Sequence, residues 1–202
     1  MRESEGYGAF KDPYVYKGTT VLKNRLGTRD QSMLDAFEVE MSTLRAEEPL
    51  PEGAFDSAHF REIHRHLFQD VYSWAGRYRT VRIAKDTSVF CYPENIASSI
   101  DRLFADLKAE SYLRTTRFSD FAKKAAAFLA ELNASHAFRD GNGRVQLVFM
   151  HLLAIRAGHR LNFKRIAPAT FMRAMIASFA GNMKPLTKEL GRLRDVRRRA
   201  AP

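Results

Sequence analysis

From Val145 to Ile155 the chain reads VQLVFMHLLAI, apolar on nearly every side of a helix and interrupted only by Gln146 and His151. A helix without a polar face has to be surrounded by protein, so the rest of the fold must be built around this segment. It is about half the ~20 residues that a membrane span needs, and Arg144 and Arg156 flank it. The expectation is a central buried helix over 143–157, with Gly158 as its C-terminal cap.

The flanking segments carry the matching periodicity. Thr28 or Asp30 can cap a helix over 31–47 whose apolar stripe is Met33, Phe37, Met41 and Leu44, ended by Pro49 and Pro51. Asp56 or Ser57 opens a second, with Phe60, Ile63, Leu67 and Val71 inward. Pro93 begins a third through about Leu113, with Ile96, Ile100, Leu103 and Leu107 as core positions. Ser119 or Asp120 begins a fourth through Asn133, and Pro168 and Pro185 sit at the first turns of two more. Only residues 77–92 differ: alternation and frequent β-branched residues predict two short strands turning at Lys85-Asp86-Thr87. The expected fold is all-α with one short β-hairpin. Its parts are an N-terminal arm over 1–27, a core over 28–183 and a basic helix or tail over 184–202.

Charge decides less than its total suggests. The 33 basic and 23 acidic residues leave a net +10, which invites a nucleic-acid partner. Residues 184–202 hold seven basic and two acidic side chains, so half of the excess lies in the tail. Nucleic acid is therefore a poor candidate substrate. The single cysteine, Cys91, forms no internal disulfide and has no evident activator; with no apolar stretch in the first ten residues, a reducing, cytoplasmic setting is expected. His59, His64 and His66 lack the spacing of a zinc site, because i and i+2 point to different faces of a helix.

The chemistry concentrates in His136-Ala137-Phe138-Arg139-Asp140-Gly141-Asn142-Gly143-Arg144, a loop running into the central helix. Gly141 and Gly143 allow a tight turn and close backbone approach. The amides at the helix start form an anion site, to which Asn142 adds a side-chain amide and Arg144 a guanidinium. Asp140 offers the hard oxygen that Mg²⁺ takes alongside phosphates. His136 is the group here that can accept and return a proton near neutral pH. Neither a Walker loop nor a Gly-x-Gly-x-x-Gly turn is present.

This segment resembles the core motif of the Fic family, His-x-Phe-x-Asp/Glu-Gly-Asn-Gly-Arg. Residues 63–71 leading to Trp74-Ala75-Gly76 resemble the family's helix and turn before a flap hairpin. Asp12-Pro13-Tyr14, Leu22-Lys23-Asn24 and Leu26-Gly27 resemble the arm of its bacterial cell-filamentation and toxin branch. The resemblance implies a Fic-type helical bundle that transfers AMP from ATP to a protein hydroxyl, tyrosine before serine or threonine. It gives the base role to His136, Mg²⁺ to Asp140, and the phosphates to Gly141, Asn142, Gly143 and Arg144. It also implies a flap strand of Thr87, Ser88, Val89, Phe90, Cys91 and Tyr92 that holds the target. From sequence alone the hairpin could equally just cover the core.

Leu147 stands where relatives carry a second arginine, three residues after Arg144, which implies a weaker hold on the triphosphate. The inhibitory pattern Ser/Thr-x-x-x-Glu-Gly/Asn is not found, which implies a separate small antitoxin as inhibitor. By resemblance the targets are the ATPase subunits of DNA gyrase and topoisomerase IV. Two alternatives stay open: a catalytically weak or silent interaction module, and transfer of another nucleotide or of phosphocholine.

Overall fold

The structure, a computed structural model, describes residues 12–85, 88–114 and 117–195. Asp30 opens α1 (Gln31–Glu47), its carboxylate accepting from the Met33 amide at 3.0 Å. Of the expected stripe on this helix, Phe37 and Met41 are partly buried against the core, and the other two members are not. Met33 and Leu44 are 55% and 51% exposed, and the buried side chains are Leu34, Glu38 and Ser42. Spacing of i, i+4, i+8 is still helical; two of the three members are polar because an arginine from the motif faces them. Asp56 caps α2 (Ser57–Phe68), accepting from the His59 amide at 2.8 Å, and Phe60, Ile63, Leu67 and Val71 are buried as expected.

Helix α3 (Ile96–Ala109) stops short of Leu113, because Ser111, Tyr112 and Leu113 take positive φ of 53°, 55° and 60°. Then follow α4 (Phe118–Ser135), α5 (Asn142–Arg156), α6 (Pro168–Phe179) and α7 (Lys184–Arg192). Helix α4 packs against α3, α5, α6 and α7, while α2 bridges α1 and α5. At the centre, Phe60, Phe104, Phe128 and Phe149 meet with ring centroids 5.1–5.9 Å apart. Helix α5 is less enclosed than its composition predicts. It buries Val145, Phe149, Met150 and Leu153, yet His151 and Ile155 are exposed. Leu147 and His151 line an apolar groove of about 480 Å³ with Ala46, Leu50 and Phe163.

The arm lies on the body. The Tyr14 ring meets Trp74 edge-on at 5.5 Å, and its hydroxyl accepts from the Thr80 amide at 3.2 Å. At the other end, Leu186, Leu190 and Leu193 are buried, so the first half of the basic segment is part of the packed body. Arg197, Arg198 and Arg199 lie outside the described residues.

Among the described residues the fold is helical, and the regular pairing outside helices is two residues long. β1 (Ala84–Lys85) and β2 (Ser88–Val89) run antiparallel, Ala84 opposite Val89 and Lys85 opposite Ser88. Thr87 lies outside the described residues. The longer strand expected from Arg77 onward does not form. That stretch is held by the buried Arg79, which bonds backbone carbonyls on both sides of it, in place of a ladder. No helix among the described residues is long and apolar enough to cross a membrane.

Candidate active site

His136 ends α4 in the left-handed conformation, φ 41° and ψ 59°, its amide donating to the Leu132 carbonyl at 3.3 Å. That backbone is unusual for a residue with a Cβ. It turns the imidazole out of the helix line onto Phe90, whose ring stacks on it at 3.9 Å and 18°. Phe90 is buried and also meets Phe179 edge-on at 5.7 Å. Expected as a target-docking residue, Phe90 is instead a wall of the histidine's site. Val89 and Tyr92, 49% and 45% exposed, keep a free face, and Cys91 is half-buried with its amide donating to the Ala134 carbonyl at 3.1 Å.

Arg79, only 2% exposed, ties this wall to the motif. Its Nε donates to the His136 carbonyl at 2.8 Å, Nη1 to Val81 at 2.6 Å, and Nη2 to Cys91 at 2.6 Å and Ser135 at 3.3 Å. Burial pushes its pKa down, and carbonyl oxygens take the place of a counter-ion. The sequence gives no sign of this role, since Arg79 looks like one more outward arginine in an alternating stretch.

The loop after His136 is clamped from inside. Phe138 is fully buried and stacks on His64 at 3.8 Å. Asn142, expected to reach phosphate through its side-chain amide, is only 3% exposed. Its Oδ1 accepts from the Phe138 amide at 2.9 Å and its Nδ2 donates to the Phe138 carbonyl at 2.8 Å. Only its backbone amide is left for a ligand. The first-turn amides of Asn142, Gly143 and Arg144 have no acceptor within α5 and sit at the positive end of its dipole.

Gly141 takes φ +76°, and a Cβ there would lie 2.4 Å from the Phe68 ring. Gly141→Ala should therefore cost about 2–4 kcal/mol, combining left-handed strain with overpacking. Gly143, helical and with nothing within 4 Å of an added Cβ, should accept alanine without loss and gain up to about 1 kcal/mol. Urea melts of the two variants check this.

His64 links the loop to the Trp74-Ala75-Gly76 turn. Its Nδ1 accepts from the Gly76 amide at 2.9 Å, and its Nε2–H donates to the Asp140 carbonyl at 3.0 Å. The two bonds fix one neutral tautomer, and burial pushes the pKa down to about 3. The unfolded chain takes up this proton below about 6.5 while the folded chain does not until about 3. Stability should then fall as pH drops through that window. Between roughly pH 7 and 4.5, His64→Gln should lose about 2–3 kcal/mol less than the parent, measured by denaturant midpoints. His59 and His66 likewise bond backbone carbonyls, Pro51 at 2.8 Å and Arg45 at 2.7 Å.

Asp140 is exposed, with Oδ1 accepting from the Gly141 amide at 2.6 Å. A lone hard carboxylate beside open amides fits Mg²⁺, which is usually held by one or two carboxylates plus substrate phosphates. Arg139 is anchored to Asp12 of the arm, its Nε and Nη2 meeting Oδ2 at 3.0 and 2.9 Å. Arg144 reaches α1, donating to Glu38 and to Ser42 Oγ at 2.7 Å. Burial and the nearby Asp140 raise the Glu38 pKa, while Tyr72 and Arg144 oppose them. The sequence reading missed Glu38 and Tyr72, because neither stands near the motif in the chain. A hollow of about 600 Å³ lined by Arg25, Arg61, Arg65 and Arg77 lies elsewhere and contains none of the motif residues.

The match to known proteins follows the same residues. A family model described as the Fic/DOC family matches residues 54–154. A probable protein adenylyltransferase of Sinorhizobium fredii is 50% identical over 93% of this chain and 98% of its own length. A probable protein adenylyltransferase Fic of Escherichia coli is 35% identical, over 91% and 92%. The crystal structure of the Bartonella tribocorum effector protein BepC with bound AMPPNP superposes with a TM-score of 0.82 at 28% identity, covering 92% of this chain and 97% of that one.

Proposed function

The chain belongs to the Fic/DOC family as a Fic-type AMPylating enzyme, and from that premise we propose that it moves AMP from ATP to a hydroxyl side chain of a target protein, tyrosine first, with His136 as the base. The observation that carries this reading is the junction of α4 and α5. There a proton acceptor ends one helix, and the open amides of the next begin six residues later, joined by a loop clamped through Phe138, Asn142 and His64.

In this reading the triphosphate lies on the amides of Asn142, Gly143 and Arg144, with Gly141 making the tight turn that presents them. His136 takes the proton from the target hydroxyl as its oxygen attacks the α-phosphorus. The bond to the β-phosphate oxygen breaks, and pyrophosphate carries away its electron pair. Mg²⁺, held by Asp140 and the phosphates, would offset charge on the leaving group. BepC, which shares this fold, is seen with the ATP analogue AMPPNP, and that supports ATP as the donor. Val89 and Tyr92 supply an exposed face beside the histidine where an extended target segment can lie. A cytoplasmic setting, control by a separate small antitoxin, and gyrase or topoisomerase IV subunits as targets accompany this proposal from the family resemblance alone.

ATP labelled at the α-phosphate should transfer label to protein, while label at the γ-phosphate should leave with pyrophosphate. Retention of γ-label on protein would make the enzyme a kinase instead.

A further inference from the structure

Arg144 projects from the first turn of α5, and α1 fixes its guanidinium before any ligand arrives. Nη1 donates to Ser42 Oγ at 2.7 Å and to the Glu38 carbonyl at 3.4 Å, and Nη2 donates to Glu38 Oε1. The flat face of the group lies 5.1 Å from the centre of the Phe68 ring. Glu38 is itself held, because the Tyr72 hydroxyl donates to Oε2 and the Tyr72 ring stacks on Trp74 at 4.3 Å.

A guanidinium has five N–H donors. Three are engaged on the α1 side, leaving Nε–H and the second Nη2–H without a partner among the described residues. Those two lie on one edge, the edge that binds carboxylate elsewhere in this protein. Arg45 uses Nε and Nη2 on Asp70 at 2.6 and 3.1 Å, and Arg139 uses the same pair on Asp12. The open edge of Arg144 is therefore shaped for two phosphate oxygens, and its side chain is 40% exposed.

We propose that Glu38 is a positioning residue for nucleotide binding, holding Arg144 by one edge so that the other meets the triphosphate, with Ser42 and Tyr72 completing the seat. This rests on the reading of residues 136–144 as the nucleotide site. The physical gain is preorganisation: a free arginine loses rotamer freedom when it binds, and here that loss has already occurred on folding. It also accounts for a carboxylate on the buried face of α1, where an apolar residue at the Glu38 position would cost less to bury.

Calorimetric titration of the full chain with ATP and separately with adenosine tests this, in the parent, Glu38→Ala, Glu38→Gln, Arg144→Ala and the Glu38→Ala/Arg144→Ala double variant. Glu38→Ala should weaken ATP at least about tenfold and leave adenosine within about twofold, since only the phosphates meet Arg144. Glu38→Gln, whose amide oxygen still accepts from Arg144, should recover most of that loss. In the Arg144→Ala background the Glu38→Ala change should have no further effect on ATP. Unchanged or tighter ATP binding by Glu38→Ala overturns the proposal, the latter by showing that Glu38 competes with phosphate for the arginine. Equal loss of ATP and adenosine also overturns it, as does an undiminished loss in the Arg144→Ala background. Should Glu38→Ala not fold, Glu38→Gln and Ser42→Ala carry the same comparison, Ser42→Ala with a smaller loss confined to ATP. A parent chain that binds adenosine but not ATP refutes the triphosphate reading itself, a result distinct from any change between variants.

Discussion

Replacing His136 with alanine should leave the protein folded and lower AMP transfer by about 10²–10⁴-fold, the usual contribution of a positioned general base. His136 lies at the end of α4, and Phe138, Asn142, His64 and Arg79 supply hydrogen bonds and packing that order the loop independently of the substitution. Alanine keeps the left-handed Cβ strain that histidine already carries and loses the ring's stacking on Phe90. His136→Asn separates the two effects, because asparagine tolerates φ of 41° and has no basic ring nitrogen. Both variants should bind ATP like the parent and fail at transfer. Single-turnover assays alongside equilibrium ATP binding read the two quantities apart.

The second large effect is expected far from the motif in sequence. Arg79→Met removes four hydrogen bonds and leaves the carbonyls of Val81, Cys91, Ser135 and His136 to find other donors in a buried site. Leaving buried polar groups unpaired costs about 1–3 kcal/mol each where water cannot reach them, so a total loss of about 3–5 kcal/mol is expected after partial relaxation. Arg79→Lys should recover little, since one ammonium cannot span acceptors on both sides of the segment. Transfer should fall as well, because the same bonds set the end of α4 and hold Phe90 against the imidazole. Denaturant melts and single-turnover rates check both parts.

What the sequence made legible follows from how local each feature is. The motif is nine consecutive residues, and part of its geometry comes from within: Gly141 where φ is positive, asparagine clamping Phe138, and phenylalanine in the core. Helix starts were equally local, since Asp30 and Asp56 each cap through their own third-following amide. The buried face of α1 was legible only in part, through Phe37 and Met41. Hydrophobic periodicity favours Met33 and Leu44, whereas the burial of Glu38 and Ser42 depends on an arginine more than a hundred residues later in the chain. Arg79 escaped for the same reason: its partners are carbonyls brought together only by the fold. The flap sequence suggested a ladder, but regular pairing covers two residues on each strand, because the Cys91 amide goes to Ala134 of α4 and the Val81 and Cys91 carbonyls to the Arg79 guanidinium.

In the proposed function the α4–α5 junction transfers AMP with His136 as base. Intact-mass measurement of candidate target proteins, and of the enzyme itself, after incubation with ATP and Mg²⁺ tests it directly. A gain of one AMP on a protein is expected in the parent reaction, and none with His136→Asn. A gain that persists in His136→Asn, or no gain with any nucleotide on any protein tested, would contradict it.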